Sequence, residues 1–150
     1  MARPFTLQPL LDRSRTQLNN ATTELGQLIA REQEGTRKLE LLQGYRAEYA
    51  ARFRDAVRDG LGVEALRNYG AFMARIDEAI DLQQAFLDES QKSTHAGKQA
   101  WIRERNRVKA FDTLHERHIE REAHDEQKRE QRQSDEHTTN RYARGNGAED

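Results

Sequence analysis

The sequence predicts an all-α fold: a long antiparallel two-helix coiled-coil hairpin with a disordered C-terminal tail. Three observations carry that prediction. Apolar residues recur at 3-4 spacing through two long stretches of the 150-residue chain. A close glycine pair, Asp59-Gly60-Leu61-Gly62, stands between them. The polar interruptions in the two stretches lie at matching distances from that pair, so two independent patterns agree on one register.

Residues 1–6 form a short lead-in. Pro4 and Pro9 sit before or within a first helical turn, where proline is tolerated. Thr6 and Gln8 are the candidate caps. The first helix runs over about 7–58. Its seam starts at Leu7, Leu11, Ser14 and Leu18, passes Leu25 and Leu28, weakens at Glu32 and Gly35, and recovers through Leu39, Leu42, Tyr49 and Phe53. Residues 59–62 form the turn. Gly60 adopts φ > 0 without a Cβ clash and ends the first helix, and Gly62 serves as a permissive cap for the second.

The second helix covers about 63–132. Its seam passes Leu66, Tyr69, Met73, Ile76, Ile80 and Leu87, turns polar from Ser90 to Gly97, and resumes at Trp101, Val108 and Phe111. Folding the chain about Leu61 pairs residues whose numbers add to about 122, so that Glu32 meets Ser90 and Leu28 meets Thr94. Arms of about 52 residues imply a rod of roughly 78 Å. Past His115 the second helix has no partner. Residues 116–133 are charged or polar and continue as a solvated helix supported by pairs such as Arg121 with Asp125. Residues 134–150, rich in Ser, Thr, Asn, Gly and acid, are expected to be a disordered tail. The domains are therefore a hairpin over 1–133 and a tail over 134–150.

Composition fits this economy. Only 35% of residues are hydrophobic and 34% are charged; two long helices need to bury only one stripe each. The net charge of −1 supplies no field toward nucleic acid or an anionic membrane. With no cysteine there is no disulfide or thiol chemistry. The N-terminus lacks the apolar core of a signal peptide and no run is long enough to span a bilayer, so a soluble intracellular protein is expected.

Few residues point to chemistry. His115, His118 and Glu122 could share a helix face, but the spacing misses the i, i+4 histidine pair of H-E-x-x-H, and ordinary surface histidines explain it. The acids lie on solvated faces with no cleft to shift their pKa values. No phosphate-cradling loop or nucleophile elbow occurs. No cofactor, metal or catalytic residue is expected. Arg103, Arg105, Arg107 and Lys109, interleaved with Trp101 and Phe111, resemble a nucleic-acid patch, but the charges spread around the helix and solvent exposure is the favoured reading.

The most informative feature is surplus apolar surface at one height. Leu41 and Tyr45 flank the seam residues Leu42 and Tyr49, and Phe72, Ile76 and Ala79 form an extra row beside Met73 and Ile80. Both widened faces fall on the same stretch of hairpin. A surface that two helices cannot cover suggests docking of another protein; a wide aromatic core is the alternative.

Several of these segments resemble one family. Phe5-Thr6-Leu7-Gln8-Pro9-Leu10-Leu11-Asp12, Leu42-Gln43-Gly44-Tyr45-Arg46-Ala47-Glu48-Tyr49 and Arg67-Asn68-Tyr69-Gly70-Ala71-Phe72 are similar, in order, to the FliJ family of flagellar export proteins. So are Trp101, Arg107-Val108-Lys109-Ala110 and the charged last helix. The resemblance implies a non-enzymatic cytoplasmic component of flagellar type III export, peripheral to the inner face of the membrane. The implied partners are a hexameric export ATPase, the cytoplasmic linker of the export-gate protein FlhA, and export chaperones. It implies a gate-contacting face of Leu42, Tyr45, Tyr49, Phe72, Ile76, Ala79 and Gln83. Lys38 stands on that face where the resemblance leads one to expect an uncharged polar residue. ATPase contacts are expected at the arm ends, from Leu7, Leu11, Leu18, Trp101, Arg105, Val108 and Phe111. A structural scaffold that dimerises through the apolar flank, or the stalk of a virulence secretion system, would share the same physics.

Overall fold

A computed structural model describes residues 3–147. Two long helices pack against each other as an antiparallel hairpin: α1 spans Gln8–Arg58 and α2 spans Val63–Asn146. The turn between them is the one the glycines predict. Gly60 has φ 91°, a left-handed conformation that costs glycine little. The Asp59 and Gly60 amides donate back to the Asp55 and Val57 carbonyls at 3.0 and 3.3 Å, closing the end of α1. The Gly62 carbonyl accepts the first helical bond of α2, from the Leu66 amide at 3.0 Å, which makes Gly62 the cap residue.

The start of α1 differs from expectation. Neither Thr6 nor Gln8 holds the cap position. The Leu7 carbonyl accepts the first bond, from Leu11 N at 3.0 Å, and the Gln8 amide closes a preceding turn onto Phe5 O at 3.1 Å. Pro9 then lies in the first helical turn, where its missing N–H costs nothing. The Gln8 side chain donates to Asp12 instead, at 2.9 Å.

The far end of α2 corrects a second expectation. The helix does not stop near Arg132, and the tail expected to be disordered is helical as far as Asn146; residues 148–150 lie outside the described residues. No proline or glycine interrupts the chain between Gly97 and Gly145, and Gln, Glu, Arg and Lys carry good helix propensity. The Thr138 and Thr139 hydroxyls, poor helix formers otherwise, donate to the Ser134 and Asp135 carbonyls.

The packing divides the chain into two compact units: Asn19–Arg103, and the first 18 residues with the chain from Glu104 onward. In the Asn19–Arg103 unit the register predicted by folding about Leu61 holds. Tyr49 meets Phe72 at 4.6 Å between ring centroids and Phe53 meets Tyr69 at 5.5 Å. Farther from the turn, Thr94 Oγ1 donates to Leu28 O at 3.3 Å and Trp101 Nε1 to Thr22 Oγ1 at 2.9 Å. The polar stretches of the two seams do fall together, and Ser90 is buried there with Leu39 and Leu87. Arg46 is an exposed seam position and pairs with Asp77 on the partner helix.

The other unit is built on Leu11, only 1% exposed, with Ser14 and Val108. Arg15 pairs with Asp112 at 2.9 Å. The lead-in folds onto α2: the Phe5 ring lies 5.1 Å from His115 and 5.5 Å from His118. His118 Nε2 donates to the Arg3 carbonyl at 2.8 Å, and the Arg3 amide donates to Glu122 at 3.2 Å. The three residues that suggested a metal face thus hold the N-terminal segment.

Candidate protein-docking face

The expected docking residues lie within the Asn19–Arg103 unit, on helical stretches flanking the turn. On α1, Lys38, Leu41, Leu42, Tyr45 and Tyr49 share one flank of the seam by their 3-4 spacing. On α2, Phe72, Ala79 and Phe86 repeat every seven residues beside the Tyr69–Ile76–Leu87 seam. The Tyr49–Phe72 ring contact joins the two flanks, so they form one face.

The structure sorts the expected set. Tyr45 is 51% exposed and Phe72 36%, and neither is sealed between the helices. Leu42, Tyr49 and Ala79 are half-buried. Ile76 is buried in the core: position 76 continues the seam one heptad after Tyr69. Gln83 is half-buried, and its amide donates to the Gly35 carbonyl at 3.1 Å. That bond crosses from helix to helix, so Gln83 holds the pair together beneath the face. Three exposed apolar residues enlarge it: Leu41 at 52%, Leu82 at 67% and Phe86 at 49%. Leu41 was visible as a flank residue. Leu82 and Phe86 were not singled out, although their i, i+4 spacing with no seam role was a usable signal.

The hydrogen bond from the Arg46 guanidinium to Asp77, and then the attraction of that carboxylate, hold the guanidinium above its ordinary pKa. Arg52 lies over the Tyr49 ring at 5.5 Å while pairing with Glu48 at 2.9 Å. This orients the aromatic edge of the face. The arrangement suits binding of an apolar surface.

The expected ATPase-end residues divide as well. Leu11 and Val108 are buried and are core. Leu7, Leu18, Trp101, Arg105 and Phe111 are half-buried. Exposed large apolar residues in the unit holding both chain ends are instead Leu10, Leu114, Ile119 and Tyr142. The basic cluster is engaged locally: Arg107 reaches Glu104 and Gln17, both at 3.4 Å. No helix among the described residues is long and apolar enough to cross a membrane.

A family model described as Flagellar FliJ protein matches residues 3–147. A flagellar FliJ protein of Salmonella typhi is 23% identical over 117 residues, spanning 78% of this chain and 80% of that protein. Among solved structures, a putative YscO homolog, CT670 from Chlamydia trachomatis, aligns over the whole of both chains at 13% identity, with a TM-score of 0.49. With a family match across nearly all of its length, the chain belongs to the FliJ family of flagellar proteins, components of type III protein export.

Proposed function

We propose that this protein is a non-enzymatic coupling element that links the hexameric export ATPase to the membrane export gate and assists export chaperones. The gate is met through the Tyr45–Tyr49–Phe72 face and its neighbours Leu42 and Ala79. The ATPase is met by the unit that carries both chain ends. The protein works on the cytoplasmic side of the membrane and reaches it only through partners.

The observation that carries this reading is the exposed aromatic strip. Tyr45 and Phe72 stay about half and one-third exposed beside a seam whose residues at the same height, Leu42, Tyr49, Met73 and Ile76, are half-buried or buried. Large apolar side chains left uncovered on a helical face are the usual mark of a docking surface. The protein acts by binding conformations of its partners unequally, so its effect is a shift of their equilibria.

A pulldown with the export ATPase and with the cytoplasmic linker of the gate protein tests it. Tyr45→Ala with Phe72→Ala abolishes capture of the linker, leaves capture of the ATPase and leaves far-UV helicity unchanged. Retained linker binding sinks the gate assignment. A concentration-dependent dimer in sedimentation, lost in the same double variant, favours a scaffold that self-associates through this strip.

A further inference from the structure

We infer that the Gly35 end of this face is a charge-selective groove that takes an acidic amphipathic segment of a partner protein. The inference rests on the docking reading above and names the chemistry of what docks. The groove lies between α1 and α2 and is lined by Arg31, Glu34, Gly35, Lys38, Gln83 and Phe86.

Its two sides differ in kind. The α2 residues that line it, Gln83 and Phe86, carry no charge, and Leu82 stands one turn before Phe86 beside the groove. Leu82 and Phe86 are among the most exposed large apolar residues near the seam. The Phe86 ring edge reaches toward Gly35, 3.6 Å from where a Cβ would stand there. The α1 side is cationic. Its one carboxylate, Glu34, is paired with Arg37 at 2.9 Å. Among the described residues neither Arg31 nor Lys38 has an ion-pair partner, and both are exposed. The nearest acid on α2 that pairs, Glu89, is engaged by Lys92 at 3.3 Å.

An occupant therefore needs apolar side chains for Leu82 and Phe86 and carboxylates for Arg31 and Lys38. Those two cations are seven residues apart on one helix, about 10 Å along its axis. A helical segment with acids two turns apart, and a Leu or Phe between them facing Phe86, meets all four. The uncharged apolar wall favours such a segment over an anionic surface that offers charge alone.

The test uses the full chain and two fluorescent helical peptides, identical in their apolar positions. One carries Glu at the two flanking positions and the other carries Lys. Anisotropy is expected to show binding of the Glu peptide, roughly tenfold tighter than the Lys peptide and weakened by 0.5 M NaCl. Arg31→Glu with Lys38→Glu inverts the preference, with thermal melting unchanged because both side chains are exposed. Phe86→Ala weakens both peptides. Equal binding of the two peptides, or an undiminished Glu preference in the double variant, overturns the inference. So does tight binding to phosphatidylglycerol vesicles that the same double variant abolishes. Either result leaves gate capture through Tyr45 and Phe72 standing, so the two readings fail separately.

Discussion

Two stretches of the Asn19–Arg103 unit solve the same packing problem in opposite ways. Next to the turn the seam is filled by rings, Tyr49 on Phe72 and Phe53 on Tyr69. Farther along, the small residues Gly35, Ser90, Thr94 and Gly97 share the seam with Leu28, Leu39 and Leu87. A Cβ on Gly35 would stand 3.5 Å from Leu87, and one on Gly97 only 2.6 Å from Leu28. There side chains of α2 reach the α1 backbone itself, Gln83 to Gly35 O and Thr94 to Leu28 O. Wide side chains overfill a two-helix seam and leave their edges in solvent. Small ones admit close approach and leave polar groups satisfied inside. Bulk leaves ring edges exposed next to the turn, whereas at Gly35 close approach of the helices leaves Leu82 and Phe86 exposed at the side of the seam.

That contrast can be broken in order of effect. Leu87→Ala, which empties the buried position facing Gly35, is expected to cost about 2–5 kcal/mol in urea unfolding, since few atoms in a thin seam can collapse into the space. Gly97→Leu forces Leu28 aside and is expected to cost about 1–3 kcal/mol by the same measurement. Phe72→Ala removes one exposed ring and its edge contact with Tyr49. It should cost only about 1 kcal/mol while removing linker binding, because its ring serves the face more than the core. Gly44→Ala is expected to go the other way. A Cβ there meets nothing within 4 Å, so helix propensity alone should stabilise the chain by about 0.5–1 kcal/mol. A Gly97→Leu variant as stable as the parent would show that close approach is not what Gly97 supplies.

Much of this was legible before any coordinates. The turn at Gly60–Gly62, the antiparallel order and the register follow from spacing. So does the widening of the seam around Tyr45, because bulky residues beside a heptad stripe are visible as letters. The caps of α1 and the extent of α2 were not legible. Leu7 holds the cap position through its backbone carbonyl, which no side-chain rule signals. The Ser/Thr/Asn-rich end reads as tail by composition, yet its threonines bond back along a continuing helix. The clasp of Phe5 by His115 and His118 joins residues more than a hundred positions apart, and only the fold brings them together.

Within the candidate site the division is finer. Periodicity placed Leu41, Leu42, Tyr45, Tyr49, Phe72, Ile76 and Ala79 in neighbouring rows, since helical spacing states which side of a helix a residue occupies, and only the family resemblance added Gln83 to the face. Periodicity could not determine which rows the partner helix covers, because that depends on how each helix is rotated and how closely it approaches. Tertiary packing decided it. Glycines at 35 and 97 bring the helices close, Ile76 and Gln83 go beneath the face, and Tyr45, Leu82 and Phe86 remain on it.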